Sequence, residues 1–331
     1  MQPGKLFSVI TPCFNRAHLI AQTLDSVKAQ TYRPIEIVIV DDGSKDSTQT
    51  LVADWIAKNS ETDTLSIKYI HQENLGASAA RNRGIEAISG EFVQFLDSDD
   101  TIANWRLQTL VDTFESEDSD FIITGFDGFD AVSGETNEWH YGKPEKNQLE
   151  LALRGTLWGN TLRVALTTEL VRATGHWNTH MNCFEDREYV ERALVLASNP
   201  IALKEISASA RRGGENRVSD LQRSYEGRDF RILCEEKLAE GIELHHKVSR
   251  EAKMAFASRL YGLAFRSSAS GWPDHAERCA KLAQSLGTDL DRLGKRRRLI
   301  YRAGPVAARL YGMAHTIKQR IRQTAQQIIR H

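Results

Sequence analysis

Apolar residues along the first hundred positions fall in short continuous runs broken by polar turns. Residues 6–11 form a run rich in β-branched side chains that reads as a buried strand. Turn chemistry at Pro12 to Arg16 follows, and then an amphipathic helix through Leu19, Leu24 and Val27. The unit repeats. Residues 35–40 read as a second strand ended by Asp41-Asp42-Gly43-Ser44, and a helix starts at Asp46-Ser47-Thr48, where small polar side chains can cap free N–H groups. A third strand at 67–70 is followed by a third helix at 76–88, and a fourth strand at 91–96 runs into Asp97-Ser98-Asp99-Asp100.

Strands that are apolar on both faces and alternate with helices predict an α/β fold, a mostly parallel sheet covered by helices on both sides. Ligands bind such sheets beyond the carboxyl ends of the strands. Here three of those ends are polar: residues 11–16, 41–44 and 97–100. A further strand at 121–126 reads as continuing through a Ser133-Gly134-Glu135 turn into an antiparallel partner at 138–141. Helical patterning follows at 148–154, 167–174 and 185–196. From about residue 225 onward only helical periodicity is visible, with no internal repeat and no low-complexity segment.

The chain has 331 residues, 41% of them hydrophobic and 26% charged, which excludes fibrous and disordered classes and fits two units, 1–220 and 221–331. No run approaches the roughly 18 apolar residues that a membrane span needs. The opening apolar stretch is too interrupted for a secretory signal, so the expected location is cytoplasmic. Four scattered cysteines without a C-x-x-C pair point to neither a zinc site nor a disulfide framework.

The net charge of −1 conceals an asymmetry, because residues 294–331 hold ten basic side chains and no Asp or Glu. Within that stretch Val306, Leu310, Met313, Ile317, Ile321 and Ile328 trace one helix face. A basic amphipathic helix of this kind can lie on an anionic membrane at its cytoplasmic side, or its apolar stripe can pack on the protein or on a second copy. Nothing points to nucleic acid as a partner.

Three carboxylates within Asp97-Ser98-Asp99-Asp100 repel one another unless a cation or hydrogen-bond donors offset them. Oxygen-only ligands favour Mg²⁺ or Mn²⁺, whereas an acidic loop capping a helix from about Ala103 is the competing reading. Asp41 or Asp42 can accept from a nucleotide, or simply belong to a strand-to-helix turn. The small-residue stretch from Asn74 to Gly84 lets a ligand approach a helix start and offers Arg81 to a pyrophosphate, or Arg81 pairs with an acid in tight helix packing. Glu185 and Asp186 at a helix N-terminus suit either a cap or a general base.

Together, Val9 to Arg16, Ile37 to Ser44, Asn74-Leu75-Gly76 with Ala80-Arg81-Asn82, Phe95 to Asp100 and Glu185-Asp186 resemble, in order and spacing, the family 2 glycosyltransferases of the GT-A fold. The resemblance covers residues 5–220. It implies inverting transfer of a sugar from a nucleoside diphosphate sugar, a UDP-sugar by preference, with Mn²⁺ or Mg²⁺ holding the diphosphate. The acceptor would be a glycan or a lipid-linked acceptor in surface polysaccharide or glycoconjugate synthesis. By that similarity Thr11, Pro12, Asn15, Asp41 and Asp42 line the nucleoside pocket, and Arg81 lies near the base or diphosphate. Asp97 touches ribose and shares the metal site with Asp99, the direct ligand, and Asp100. Asp186 is the base, with Glu185 beside it.

The segment from Arg211 to Ser219 resembles the family's flexible Arg and Ser stretch but lacks the histidine that many members carry there, so either Arg211 or Arg217 meets the diphosphate in its place or the stretch is a charged surface loop. Trp158 and Trp177 can stack on an acceptor sugar or belong to the core. Competing functions are a non-catalytic nucleotide-sugar-binding module and a nucleotidyltransferase. The second lacks a Gly-rich triphosphate loop with a paired lysine near the first strand.

Overall fold

Seven consecutive buried residues in β1 (Phe7–Cys13) and again in β2 (Ile35–Asp41) leave neither strand a solvent face, so both must lie inside a sheet with helices above and below. They pair in parallel, Phe7 with Ile35 through to Cys13 with Asp41. A computed structural model describes residues 4–59, 64–130, 136–139, 160–212, 224–245 and 248–286.

The parallel block is completed by β3 (Leu65–His71) on β2 and β4 (Phe92–Phe95) on β1. Helices α1 (Ile20–Lys28), α2 (Thr48–Lys58) and α3 (Ala77–Ala87) join these strands. Beyond β4 come β5 (Thr101–Ile102), α4 (Arg106–Ser116), β6 (Phe121–Asp130), β7 (Thr136–Trp139), β8 (Val164–Thr167), α5 (Thr168–Thr174), α6 (Glu185–Leu196) and β9 (Pro200–Arg212). The sheet order is β3-β2-β1-β4-β8-β6-β9-β5, with β7 on β6. Pairings beyond the first block are mixed: β8 runs antiparallel to β4 and β6, β9 parallel to β6, and β5 antiparallel to β9.

One face of the sheet buries Phe7, Val9, Ile37 and Ile39 against Leu24 and Val27 of α1, Val52 and Trp55 of α2 and Leu110 and Phe114 of α4. On the other face α3 sits so close to β1 that a Cβ at Gly84 would collide with Ile10, and Phe95 meets Trp177 and Tyr189 edge-on. At the amino end of the sheet the buried Glu36 carboxylate accepts from Ser8 Oγ at 2.5 Å, Lys68 Nζ at 2.6 Å and the Ser89 and Gly90 amides at 2.5 and 3.1 Å.

The first four strands and α3 match expectation within a few residues, and the strand after 121 does form an antiparallel hairpin, with β7. Two features differ, and a third decides an open alternative. Strands β5, β8 and β9 carry no strong apolar run, and their pairing is decided by the neighbours that they complete. The helix expected from about Ala103 begins at Arg106, after β5, with no side-chain cap, so the acidic loop at 97–100 does not cap it. Trp177 is 2% exposed and stacks flat on Tyr189, so it is core and does not face a sugar. The helix expected at 148–154, Trp158, Arg217 and the basic stretch at 294–331 lie outside the described residues.

The chain divides into two compact units, Met1–Gln148 with Thr156–Ser219, and Leu149–Gly155 with Asp220–His331. In the second, α7 (Tyr225–His245), α8 (Arg250–Ala269) and α9 (Pro273–Ser285) pack through Ile232, Leu263, Ala264 and Cys279. Its buried Glu235 is held between Arg231, at 2.7 Å, and Arg259. Among the described residues no helix is long and apolar enough to cross a membrane.

Candidate active site

The three polar strand ends do meet along one edge of the sheet. The turn after β1 is fastened to the turn after β2: Asn15, at a φ of 52°, donates its amide to Ser44 Oγ at 2.9 Å and accepts from the Lys45 amide at 2.8 Å. Asn tolerates this left-handed backbone better than most residues, which explains its place in the turn. Pro12 is buried, and Thr11 is fully buried with a hydroxyl that has no hydrogen-bond partner among the described residues.

Asp41 and Asp42 face different ways. Asp41 is fully buried and accepts from the Ser44 amide at 2.9 Å and Tyr69 Oη at 2.7 Å, with His71 Nδ1 at 3.5 Å. Burial opposes its charge, yet the bonds from Ser44 and Tyr69 outweigh that and hold the carboxyl below its ordinary range. Asp42 reaches across to the start of α3, accepting from the Leu75 and Gly76 amides at 2.9 and 2.8 Å and from Gln72 Nε2 at 2.7 Å. It satisfies N–H groups that a helix start leaves open.

Past β4, Asp97 accepts from Arg81 Nη2 at 2.8 Å and from Thr161 Oγ1 at 3.3 Å. Asp100 is buried and accepts from the Arg211 amide at 3.0 Å, while the Arg211 guanidinium donates to Gln22 at 2.7 Å. Asp99 is partly exposed, and Arg16 lies 3.9 Å from it. Burial raises the carboxyl of Asp99, and the charge of Asp97 adds to it; Asp100 is raised further, by burial and then by Asp97 and Asp99. The loop therefore carries more negative charge than its own donors offset.

That surplus, on oxygen ligands alone, fits a hard divalent cation that completes its shell with phosphate and water. Asp99 is the carboxylate least committed to protein partners. Among the described residues no three His, Cys, Asp or Glu side chains form a group that could hold an ion by themselves.

Helix α6 brings the last two predicted residues to the same edge. Phe184, in a left-handed conformation at φ 63°, precedes it and makes no side-chain cap. Glu185 lies 3.8 Å from Arg81, and Asp186 accepts from the Arg187 amide at 2.7 Å. Burial and then the adjacent Glu185 charge push the Asp186 carboxyl up to about 7. Arg81 itself is 4% exposed and lies 4.5 Å over the Trp177 ring. Burial works against its charge, but Asp97 and Glu185 outweigh that and raise it above the ordinary value.

Tyr69, Gln72, Asn82 and Thr161 also shape this edge, and of these only Asn82 lies in one of the sequence motifs, where its residue type alone implies no role. Nothing local marks them, since each is brought in by strand or helix packing. Asn82 accepts from the Trp177 amide at 2.7 Å and donates to the Trp177 carbonyl at 3.0 Å, fastening that tryptophan against α3.

A family model described as glycosyl transferase family 2 matches residues 8–175. The chain is 39% identical over 127 residues to glycosyltransferase GlyA of Streptococcus pneumoniae serotype 4, a match covering 38% of this chain and 18% of that protein. Glycosyltransferase GlyG of the same organism is 30% identical over 132 residues, 40% of this chain and 42% of that one. The chain thus spans less than half the length of these curated relatives. Among solved structures, S. aureus TarS 1–349 in complex with UDP-GlcNAc matches with a TM-score of 0.60 at 18% identity, over 84% of this chain and 91% of that chain. The mannosyltransferase PcManGT from Pyrobaculum calidifontis, in complex with GDP-Man and Mn²⁺, matches with a TM-score of 0.51 at 18% identity, over 95% and 88%.

Proposed function

Because the chain belongs to glycosyl transferase family 2 and has the α/β architecture of the GT-A fold, we propose that it inverts configuration while transferring a sugar from a nucleoside diphosphate sugar to an acceptor hydroxyl. A UDP-sugar is the donor expected first, and a glycan or lipid-linked acceptor in surface polysaccharide or glycoconjugate synthesis the recipient. The carrying observation is that an under-neutralised acidic loop at Asp97 to Asp100 and a carboxyl raised to about 7 at Asp186 share one sheet edge. TarS, solved with UDP-GlcNAc, and PcManGT, solved with GDP-Man and Mn²⁺, lend the donor class its support.

In this reading Asp186 accepts the proton of the acceptor hydroxyl while that oxygen attacks the anomeric carbon on the face opposite the leaving diphosphate. One displacement through an oxocarbenium-like transition state inverts the centre. A group whose pKa lies near neutrality both accepts the proton and releases it afterwards. Mn²⁺ or Mg²⁺ held through Asp99 would neutralise charge on the leaving diphosphate. Thr11, Pro12, Asn15 and Asp41 would wall the nucleoside pocket, Asp42 would hold the loop that closes it, and Arg211 would lie at the diphosphate side of Asp100. Residues 294–331 would supply a peripheral contact with an anionic membrane surface, or with a second copy of the chain.

The test is thermal unfolding with UDP, GDP, dTDP or CMP, each with and without Mn²⁺, followed by product analysis with the matching sugar donor. A ligand at about 100 times its dissociation constant adds roughly 2.7 kcal/mol. Metal-dependent stabilisation by one diphosphate, with release of that diphosphate and an inverted product, is the expected result. Release of pyrophosphate, or binding with neither transfer nor hydrolysis, would overturn it.

A further inference from the structure

We propose that Arg81 is a positioning residue that ties the donor loop at Asp97 to the proton acceptor Asp186 through Glu185, and does not contact the nucleotide. The inference rests on the glycosyltransferase reading above.

Arg81 is buried against Asp97, Glu185 and Trp177. Its Nη2 donates to Asp97 at 2.8 Å, its Nη1 lies 3.8 Å from Glu185, and its planar face covers Trp177 at 4.5 Å. With 4% of its surface exposed, it has almost no area left for a phosphate. The contact with Glu185 is one of charge, since Nη1 has no hydrogen-bond partner among the described residues, and a planar guanidinium can present a different edge to each acid where an ammonium is a single point charge.

The residue under Arg81 is itself fastened through its backbone. Asn82 binds both the N–H and the C=O of Trp177, and Trp177 stacks at 4.1 Å and 3° on Tyr189, one helical turn beyond Glu185 on α6. Arg81 therefore meets the catalytic helix twice, by charge at Glu185 and by stacking through Trp177 and Tyr189. The same side chain holds the Asp97 end of the acidic loop. A change in the position of one is transmitted to the other through a rigid, buried group.

The experiment compares Arg81→Lys, Glu185→Gln and the double variant in full-length protein, using steady-state transfer, calorimetric UDP binding with Mn²⁺ and unfolding temperature. The expected result for Arg81→Lys is a loss of about 30-fold in kcat with donor KM and UDP affinity within about threefold of wild type, the pattern of a displaced reacting group. Adding Glu185→Gln should cost little more, because both changes cut one link. An Arg81→Lys protein whose UDP affinity falls about tenfold or more, with kcat retained, would show a nucleotide contact and overturn the proposal. Additive losses in kcat would overturn it as well. Should Arg81→Lys not fold, Glu185→Gln alone still decides: lowered kcat at unchanged UDP affinity is expected, and an unchanged kcat would refute it. A wild-type protein that turns over no sugar donor sinks the glycosyltransferase reading itself, which separates that failure from the others.

Discussion

Asp186 and Glu185 are consecutive carboxylates in the first turn of α6, and burial together with the Glu185 charge raises Asp186 to about 7. A base must be ionised to accept a proton. The kcat/KM of transfer should therefore fall about tenfold per pH unit on the acid side of about 7 and level off above it. A profile flat from pH 5 to 8 would remove Asp186 from the role.

The same shift has an opposite effect on stability. The folded state holds the Asp186 proton up to about 7, whereas an unfolded aspartate releases it near 3.8, so folding binds a proton between those values and stability falls as pH rises through that window. Asp186→Asn removes the penalty. The variant should be more stable than wild type at pH 8, by roughly 1 kcal/mol after allowance for its partial exposure, and equal to it at pH 3. Its transfer rate should drop by about 10³ while UDP binding persists. Paired thermal melts at the two pH values, with one transfer assay, decide this.

Asp42 binds the start of α3 through the Leu75 and Gly76 amides, and not through any helix of its own. Asp42→Ala strands two backbone N–H groups and the Gln72 amide, and should cost about 2 kcal/mol of stability. Asp42→Asn, which keeps an acceptor oxygen, should recover about half of that. Urea denaturation midpoints measure both, and equal midpoints for Asp42→Ala and wild type would contradict the structure.

At the far end of the sheet, Glu36 is 1% exposed and accepts hydrogen bonds from four residues, Ser8, Lys68, Ser89 and Gly90. Burial opposes its charge, but the bonds from Lys68, Ser8 and Ser89 outweigh it and hold the carboxyl below its ordinary 4.5. Its contribution is thus complete above that value and lost as pH falls through the lower folded one. Glu36→Gln should destabilise the protein by about 3 kcal/mol at pH 7, with no change in UDP affinity, and the difference from wild type should shrink in acid. Denaturation at pH 7 and pH 4 tests the sign.

The alternation of apolar runs in residues 6–96 was enough to fix the parallel block, because strands apolar on both faces have only one environment open to them. It also sent residues 11–16, 41–44 and 97–100 to one edge, since parallel strands all end on the same side. What it left open was the partner of each side chain. Arg81 could face a pyrophosphate or an acid, Trp177 a sugar or the core, and the loop at 97–100 a metal or the helix after it.

Those choices depend on contacts made between distant parts of the chain. Thr161 meets Asp97 across 64 residues, Trp177 meets Asn82 across 95, and the Arg211 amide meets Asp100 across 111. Strands β8 and β9, whose own apolar patterns are weak, deliver Thr161 and Arg211 to the site by completing the sheet. Residue type and spacing by themselves determined the fold class and which edge gathers the polar strand ends, because burial acts on local pattern. Only tertiary packing decided which carboxylates are already paired and which keep uncompensated charge, because a hydrogen bond depends on where both of its partners come to rest.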